Sequence, residues 1–282
     1  MSEKIATTAP QLNPLQKRGF KIRFSRKWFA LPLLLFVLFF VVTPLIILLV
    51  NAFLTEDGSF TFQYFIEIFT NQGNYLTTFG ITILVAFGTT VLCLLIAYPV
   101  AYFLARGKLF KNPYTIVLLF VLPMWINFLL RIVALKEFLN NMIGIPFGWT
   151  LIMIGMVYDF LPFMVLPLYN SISKMDQSLI EAATDLGANK AQVFFKTIIP
   201  LSMPGVISGI TMVFIPAMSA YAVSDVLSGQ TLSTLGGTIA NHLADTGLSA
   251  TFAIIMSMLM VGFIMLTSRY DRIGDSKGGS LL

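Results

Sequence analysis

The chain has 282 residues, of which 57% are hydrophobic and 11% are charged, and its mean hydropathy is +0.84. Because soluble domains carry roughly 25% charged residues, this composition excludes a soluble globular protein and predicts an integral membrane protein. The net charge of +5 does not predict nucleic-acid binding, because the basic residues lie between apolar segments. The single cysteine, Cys93, lies inside an apolar run and cannot form an intrachain disulfide.

Residues 1–30 are polar and basic, and we expect a cytoplasmic N-terminal tail. Two interpretations stay open for this tail. It is either an anchor on anionic lipid or a plain basic flank that orients the first span. No cleavable signal peptide is expected, because the first apolar run is long enough to span a membrane.

Six apolar segments follow, within an expected transmembrane domain of residues 31–270. At a rise of about 1.5 Å per residue, each can cross a hydrocarbon core of about 30 Å, the third only barely. Helices are expected rather than strands, because each span must pair its own backbone polar groups. The predicted spans are residues 31–53, 79–104, 113–130, 148–170, 198–222 and 247–268.

The distribution of Lys and Arg predicts the orientation of these spans. Sixteen of the eighteen basic residues lie on one side of the predicted spans and two lie on the other. By the positive-inside rule, both termini are therefore cytoplasmic, including the C-terminal tail 271–282. The loop 171–197 lies on the same side.

Two charged residues lie near or within the spans, where a charge is costly. Asp159 is in the middle of the fourth span, either protonated or paired against other helices, or else lining a cavity. Arg131 follows the third span and either snorkels to the interface or acts in gating.

At the fifth span, Gly205 and Gly209 have a spacing typical of a helix contact.

The outer end of the fifth span contains Tyr221 and Asp225, four residues apart. On a helix this spacing places both on one face, so they could line the same path; alternatively, Asp225 is an ordinary cap or loop carboxylate. His242, the only histidine, lies in a predicted external loop, where we expect it to be solvated. No Cys/His cluster predicts a metal site.

The most polar run inside this apolar chain is residues 181–200, EAATDLGANKAQVFFKTIIP. Residues 181–186 are good helix formers, and Gly187 lies where a helix could stop. The pattern predicts two short helices joined at this glycine, forming a compact knob at the membrane surface. A solvated loop on the lipid headgroups would have the same pattern.

This run resembles the EAA loop of permease subunits in binding-protein-dependent ABC importers. Glu181, Ala182, Ala183, Gly187 and Pro200 match that pattern in register, whereas Thr197 and Ile199 replace its Ile and Leu. The resemblance implies a coupling helix that docks on a cytoplasmic ATPase. The residues implied for this contact are Glu181, Ala182, Ala183, Asp185, Gly187 and Pro200.

Further segments resemble the B-type permease of spermidine/putrescine ABC importers: LPMWINFLLRIVALKEFL, VYDFLPFMVLPLYN and YAVSD. The resemblance covers nearly the whole chain and implies an all-α, six-span, type I importer permease (MetI-like) fold in a bacterial plasma membrane. It also implies a second, C-type permease, two copies of an ATPase and an extracellular polyamine-binding protein as partners.

The expected function is therefore that of a non-catalytic transport subunit. The sequence has no phosphate-binding GxxxxGK[ST] motif, so we expect no cofactor on this chain and the use of ATP and Mg²⁺ by the partner ATPase. A polycation favours carboxylates and aromatic faces along its path. The candidate path residues are Tyr221, Asp225, Asp159, Trp125 and Arg131, although the family favours an apolar residue in place of Asp159.

Other functions stay open from the sequence. Permeases for iron, thiamine or sulfate share the implied architecture and would differ in the solute that competes for uptake. A secondary transporter would need no ATPase, but inverted repeats are expected there and none is evident. A membrane scaffold or receptor would need no acidic residue within the bilayer.

Overall fold

The computed structural model describes residues 31–55, 57–70, 75–107, 112–228, 234–241 and 246–278. The regular secondary structure in this part of the chain is helical, apart from one bridge that pairs Leu54 with Phe60, which confirms the all-α prediction. The basic tail and His242 lie outside the described residues. The helices are α1 Leu31–Phe53, α2 Gln63–Phe69, α3 Tyr75–Arg106, α4 Pro113–Trp125, α5 Phe128–Ile143, α6 Trp149–Ser173, α7 Gln177–Asp185, α8 Lys190–Ser219, α9 Tyr221–Ser228, α10 Leu235–Asn241 and α11 Thr246–Gly278.

The chain divides into two units at Ile46. In the first unit, the described residues are helical and none of their side chains is buried. In the second unit, the core lies where α3, α6 and α8 pack on one another. Its fully buried side chains include Val85, Leu151, Ile152, Met156, Met164, Leu168, Ile172 and Val213.

Glycines allow the close packing of α8 on α6. A side chain at Gly205 would place its Cβ 2.8 Å from the carbonyl oxygen of Pro167, closer than real side-chain contacts. A Cβ at Gly209 would meet the sulfur of Met164. The helix contact predicted from the spacing of these two glycines is therefore confirmed.

The third predicted span differs from the single helix expected over residues 113–130. Helix α4 ends at Trp125, and α5 begins at Phe128 after a bend of 93°. Pro123 has no N–H to continue the hydrogen-bond ladder, and Ile126 is extended with ψ at 143°. Asn127 then caps α5 by accepting backbone hydrogen bonds at 3.0 and 3.3 Å, a start signal that the apolar run concealed.

The second short helix expected after Gly187 is instead the beginning of α8, which runs for 30 residues into the fifth span. Its segment Phe194–Ile198 is a wider π-type turn. This turn ends two residues before Pro200, which cannot donate a backbone hydrogen bond. The fifth span ends earlier than expected, because Ala220 leaves the helical region with ψ at 59°.

Five described helices are long and apolar enough to cross a membrane, and there are six spans when the bent pair α4–α5 counts as one. The first, α1, occupies the same residues as the first predicted span. The last, α11, begins at Thr246 and continues to Gly278, ten residues beyond the predicted sixth span.

Candidate functional site

The segment expected to contact an ATPase forms α7 and the turn after it. Asp176 caps α7, since its carboxylate accepts a hydrogen bond of 2.9 Å from the backbone N–H of Ser178. This hydrogen bond lowers the pKa of the Asp176 carboxyl from its ordinary value, and the positive charge of Arg106 lowers it further. The start of α7 is therefore stabilised by an ionised cap.

The end of α7 depends on Gly187, whose φ of +84° lies in the left-handed region that strains other residues. The N–H groups of Gly187 and the next residue donate to the carbonyls of Thr184 and Ala183 at 2.9 and 3.1 Å. These two bonds form a Schellman motif. The turn is short because Asn189 and Gln192 immediately open α8 with a capping box.

The surface of α7 is open, and none of its residues is buried. An exposed apolar side chain lies near its start, Leu179 at 47% exposure, and another directly follows its end, Leu186 at 89% exposure. Pro200 lies apart from the other predicted contact residues, in α8. The structure brings five of the six together on α7 and its terminal turn: Glu181, Ala182, Ala183, Asp185 and Gly187.

Arg106, at the end of α3, ties that span to the start of α7. Its guanidinium donates to the side chain of Gln177 at 2.6 Å and to the carbonyl of Met175 at 2.7 Å. Sequence reasoning counted Arg106 only as a cytoplasmic charge. Its position two residues after the end of a predicted span was the available signal, but its partners, at positions 175 and 177, are about 70 residues away in the sequence.

A second link between α3 and the α7–α8 segment is aromatic. Phe194, in the π-type turn of α8, packs edge-on against Tyr98 and Tyr102 of α3, with ring centroids 5.7 and 5.4 Å apart. Tyr98 also shares a hydrogen bond of 2.8 Å with the hydroxyl of Ser202, one turn beyond the π-type turn. These contacts pack the start of α8 directly against α3.

Helix α9 has one buried face and one exposed face. Its buried face packs on α5 and α6, and a side chain on Gly155 of α6 would collide with Leu227. Tyr221 and Asp225 lie on the opposite, exposed face, as their spacing predicted. Asp225 lies within the helix, so the alternative that it is a cap or loop carboxylate does not hold.

Arg131 and Asp159 form an ion pair between α5 and α6. Their side chains are 9% and 5% exposed, so Arg131 does not snorkel to the interface. The guanidinium also donates to the carbonyl of Pro123 at 2.9 Å and lies 5.7 Å from the ring centroid of Tyr158. Of the two interpretations of Asp159, the structure favours the paired carboxylate.

Trp125, at the end of α4, is 90% exposed. It lies two residues after Pro123, whose carbonyl accepts a hydrogen bond from Arg131. An open pocket of about 280 Å³ adjoins the pair, and its walls come from α4, α5 and α6. The predicted path residues thus lie in three places: the bend for Trp125, the buried pair for Arg131 and Asp159, and the open face of α9 for Tyr221 and Asp225.

Comparison with known proteins connects this arrangement with transport. Residues 94–274 match the family described as "Binding-protein-dependent transport system inner membrane component". The spermidine/putrescine transport system permease protein PotB of Haemophilus influenzae is 36% identical over 264 residues, which cover 86% of this chain and 92% of that protein. PotB of Escherichia coli is 35% identical, over 84% of this chain and 94% of that protein.

Solved structures share the fold. The bacterial alginate ABC transporter, in complex with an alginate-bound periplasmic protein, has a chain that superposes with a TM-score of 0.70 at 13% identity, over 87% of this chain and 93% of that one. A chain of the MetNI methionine ABC transporter superposes with a TM-score of 0.56 at 20% identity, over 68% of this chain and 92% of that one. The expected importer permease fold is confirmed, and the chain belongs to the family of inner membrane components of binding-protein-dependent transport systems.

Proposed function

We propose that this chain is the permease subunit of an ATP-driven importer and forms part of the translocation path for the polyamines spermidine and putrescine. The observation that carries the proposal is identity of 34–36% to permeases named for these two substrates, over at least 84% of the chain. Likeness over nearly the full length includes the helices that would line a path. An isolated shared motif would not support a substrate class in this way.

Charge distribution supports the orientation in which α7 faces the cytoplasm. Sixteen of the eighteen basic residues belong to the same side as the 171–197 loop, and positive charge is retained on the cytoplasmic side. Both termini lie on this side too. An ATPase that uses cytoplasmic ATP can then reach α7 directly.

Helix α7 transmits the energy of ATP hydrolysis to the spans. Its exposed surface, with Glu181, Asp185 and Leu186, docks on the ATPase, while Arg106 and Phe194 connect it to α3. Rigid connections of this kind carry a displacement from one element to the next. In this proposal the chain itself binds no cofactor, and the partner ATPase binds ATP and Mg²⁺.

The exposed face of α9 supplies the groups that a polyamine requires. A carboxylate at Asp225 attracts an ammonium group, and the ring of Tyr221, one turn earlier, offers a cation–π surface. Trp125 offers a second aromatic surface at the bend between α4 and α5. Both aromatic side chains are exposed, so they are available to a substrate.

The proposed assembly contains this chain, a C-type permease, two copies of an ATPase and an extracellular polyamine-binding protein. Exposed apolar side chains on α4 and α5 offer a surface on which a second permease could pack. The alginate transporter gives a precedent for the assembly, since its solved structure includes a periplasmic binding protein.

Uptake by cells that lack their own polyamine importers tests this function. Cells that express the chain with its partner subunits are expected to take up labelled spermidine, and unlabelled putrescine is expected to compete. Cells that express the chain alone are expected to show no uptake. Competition by iron, thiamine or sulfate instead of polyamines would contradict the substrate class, and full uptake by the chain alone would contradict the ATP-driven mechanism.

A further inference from the structure

The side chain of Arg131 bridges both halves of the broken third span. Arg131 belongs to α5, and its guanidinium reaches back across the bend to the carbonyl of Pro123 in the last turn of α4. The same group pairs with Asp159 of α6 and lies over the ring of Tyr158. One cation therefore contacts all three of the helices that meet at the bend.

The pair is electrically neutral and almost completely shielded. In the described part of the chain it is the one ion pair, and each side chain is at most 9% exposed. Mutual neutralisation makes two charges tolerable at membrane depth. A paired carboxylate does not offer its charge to a passing ammonium group, so Asp159 differs from the exposed Asp225.

The contacts of α9 connect this pair with the proposed substrate face. Helix α9 packs on both α5 and α6, the two helices that the ion pair joins. If α5 shifted relative to α6, the surface on which α9 packs would change, and Tyr221 and Asp225 would move with α9. Nothing in the sequence pattern indicated this connection, because Arg131, Asp159 and Asp225 belong to three separate segments.

We propose that Arg131 and Asp159 form a clamp that fixes the bend between α4 and α5 and so positions the Tyr221–Asp225 face of α9. Both are positioning residues rather than substrate ligands. The proposal deepens the proposed function, on which its consequence for uptake rests, but the clamp itself is measurable without any transport. It also predicts that loss of either partner has the same direction of effect on uptake.

That shared direction separates a clamp from a ligand. If Asp159 bound polyamine ammonium groups, Arg131 would compete with the substrate, and Arg131→Met would lower the KM for spermidine. A clamp needs both partners, so Arg131→Met and Asp159→Asn are both expected to reduce uptake by more than tenfold, because each leaves a buried charge without its partner. Asp159→Glu keeps the carboxylate and is expected to retain most of the uptake.

The bend is measured by spin labels on its two sides, in the full complex in lipid nanodiscs. Leu118 of α4 and Phe138 of α5 are both about half exposed and serve as label sites after substitution by Cys, in a Cys93→Ala background. A narrow distance distribution is expected for the native pair. Broader distributions are expected for Asp159→Asn and Arg131→Met.

Lys136→Met is the matched control. Lys136 is a second cation on α5, but its contact is the ring of Phe147 rather than a carboxylate, so the distance distribution is expected to stay narrow. If Asp159→Asn does not insert, Arg131→Met still tests the clamp, because a lone carboxyl can be neutralised by a proton and a lone guanidinium cannot.

Two results would overturn the proposal. The first is a native distance distribution in both single variants. The second is opposite effects on uptake, with weaker uptake in Asp159→Asn and a lower KM in Arg131→Met, which would make Asp159 a substrate ligand. A native complex that takes up no polyamine would contradict the proposed function alone, since the distance measurement would still decide the clamp.

Discussion

The α7 segment and the Arg131–Asp159 pair are both polar regions of an apolar chain, and they differ in almost every other respect. Helix α7 has no buried residue and is formed by local signals, a cap at Asp176 and a glycine turn at Gly187. The ion pair is buried and joins residues 28 positions apart in the sequence. An exposed surface of this kind is suited to binding a partner protein, whereas a buried ion pair is suited to holding helices of the same chain in place.

The largest effect is expected from a variant that disrupts the exposed surface of α7. Gly187→Val places a branched side chain at φ +84°, a conformation that costs an L residue about 1–2 kcal/mol, and it displaces the proposed docking surface of α7. Spermidine uptake is expected to fall by more than tenfold while ATP hydrolysis continues. Glu181→Leu is expected to act in the same direction.

Gly144→Val is the matched control for this variant. Gly144 also has a left-handed φ, +80°, but it ends α5, far from α7 in the sequence and on the opposite side in the proposed orientation. The control therefore carries the same backbone strain without touching the docking surface. Equal losses of coupling in the two variants would show that strain, and not docking, explains the effect.

The next effect concerns the proposed substrate face of α9. Asp225→Asn keeps the shape of the side chain and removes the charge that attracts an ammonium group, so the KM for spermidine is expected to rise about tenfold, as for the loss of one charge-assisted contact. Expression and insertion are expected to be unchanged. Glu137→Gln, which neutralises an exposed carboxylate on α5, is the control, and an unchanged KM for Asp225→Asn would remove Asp225 from the path.

A smaller effect is expected where α7 joins α3. Arg106→Met removes the bonds to Gln177 and Met175 but leaves the packing of Phe194 in place. Uptake is expected to fall only about threefold, because one of these bonds is exposed and the other only partly buried, so that water replaces much of their contribution. The ratio of ATP hydrolysed to spermidine transported should rise.

Lys174→Met controls for the loss of a cytoplasmic charge beside α7, since Lys174 is exposed and lies one residue before Met175. Its ratio of hydrolysis to transport is expected to stay native. If Lys174→Met and Arg106→Met gave the same ratio, the tie from α3 to α7 would carry no part of the coupling.

The smallest effect is a pH dependence at the start of α7. The pKa of Asp176 is lowered in the folded chain, so the cap contributes stability above the ordinary value of about 3.9 and loses it as the pH falls through the folded value. Amide hydrogen exchange at Ser178 is expected to lose protection at low pH, after correction for intrinsic rates.

The cap of α8 is the internal control for that measurement. The side-chain oxygen of Asn189 accepts a hydrogen bond from the backbone N–H of Gln192. Because Asn189 does not titrate, this N–H should keep its protection from exchange over the same pH range. In Asp176→Asn the pH dependence at Ser178 is expected to disappear. A pH dependence that persists in this variant would assign the effect to another group.

The open and closed regions also differ in how far the sequence could predict them. The EAA pattern located α7, and Gly187 marked its end, because caps and turns are determined by neighbouring residues. Pro123 favours a kink or break in the third span, but its separation into two helices with a bend of 93° was not predicted, since an apolar run of 18 residues resembles one span whether or not it is broken. Asn127 was the overlooked signal for a helix start.

Tertiary partners could not be predicted from any one segment. The sequence showed Arg131 and Asp159 as two separate charges that are costly within a membrane. Only the packing of α5 on α6 shows that they form an ion pair and neutralise each other. Arg106 is a similar case. By contrast, the shared face of Tyr221 and Asp225 followed from helical spacing alone, because both belong to one helix.

The central claim is that α7 is the surface on which a partner ATPase acts. Cysteine cross-linking tests it most directly, in a Cys93→Ala background with the complex in membranes. Leu186→Cys, at 89% exposure, is expected to cross-link to the ATPase subunit, and Met142→Cys, at 77% exposure on the opposite predicted side, is not. A cross-link to the ATPase from Met142→Cys and none from Leu186→Cys would contradict both the orientation and the role of α7.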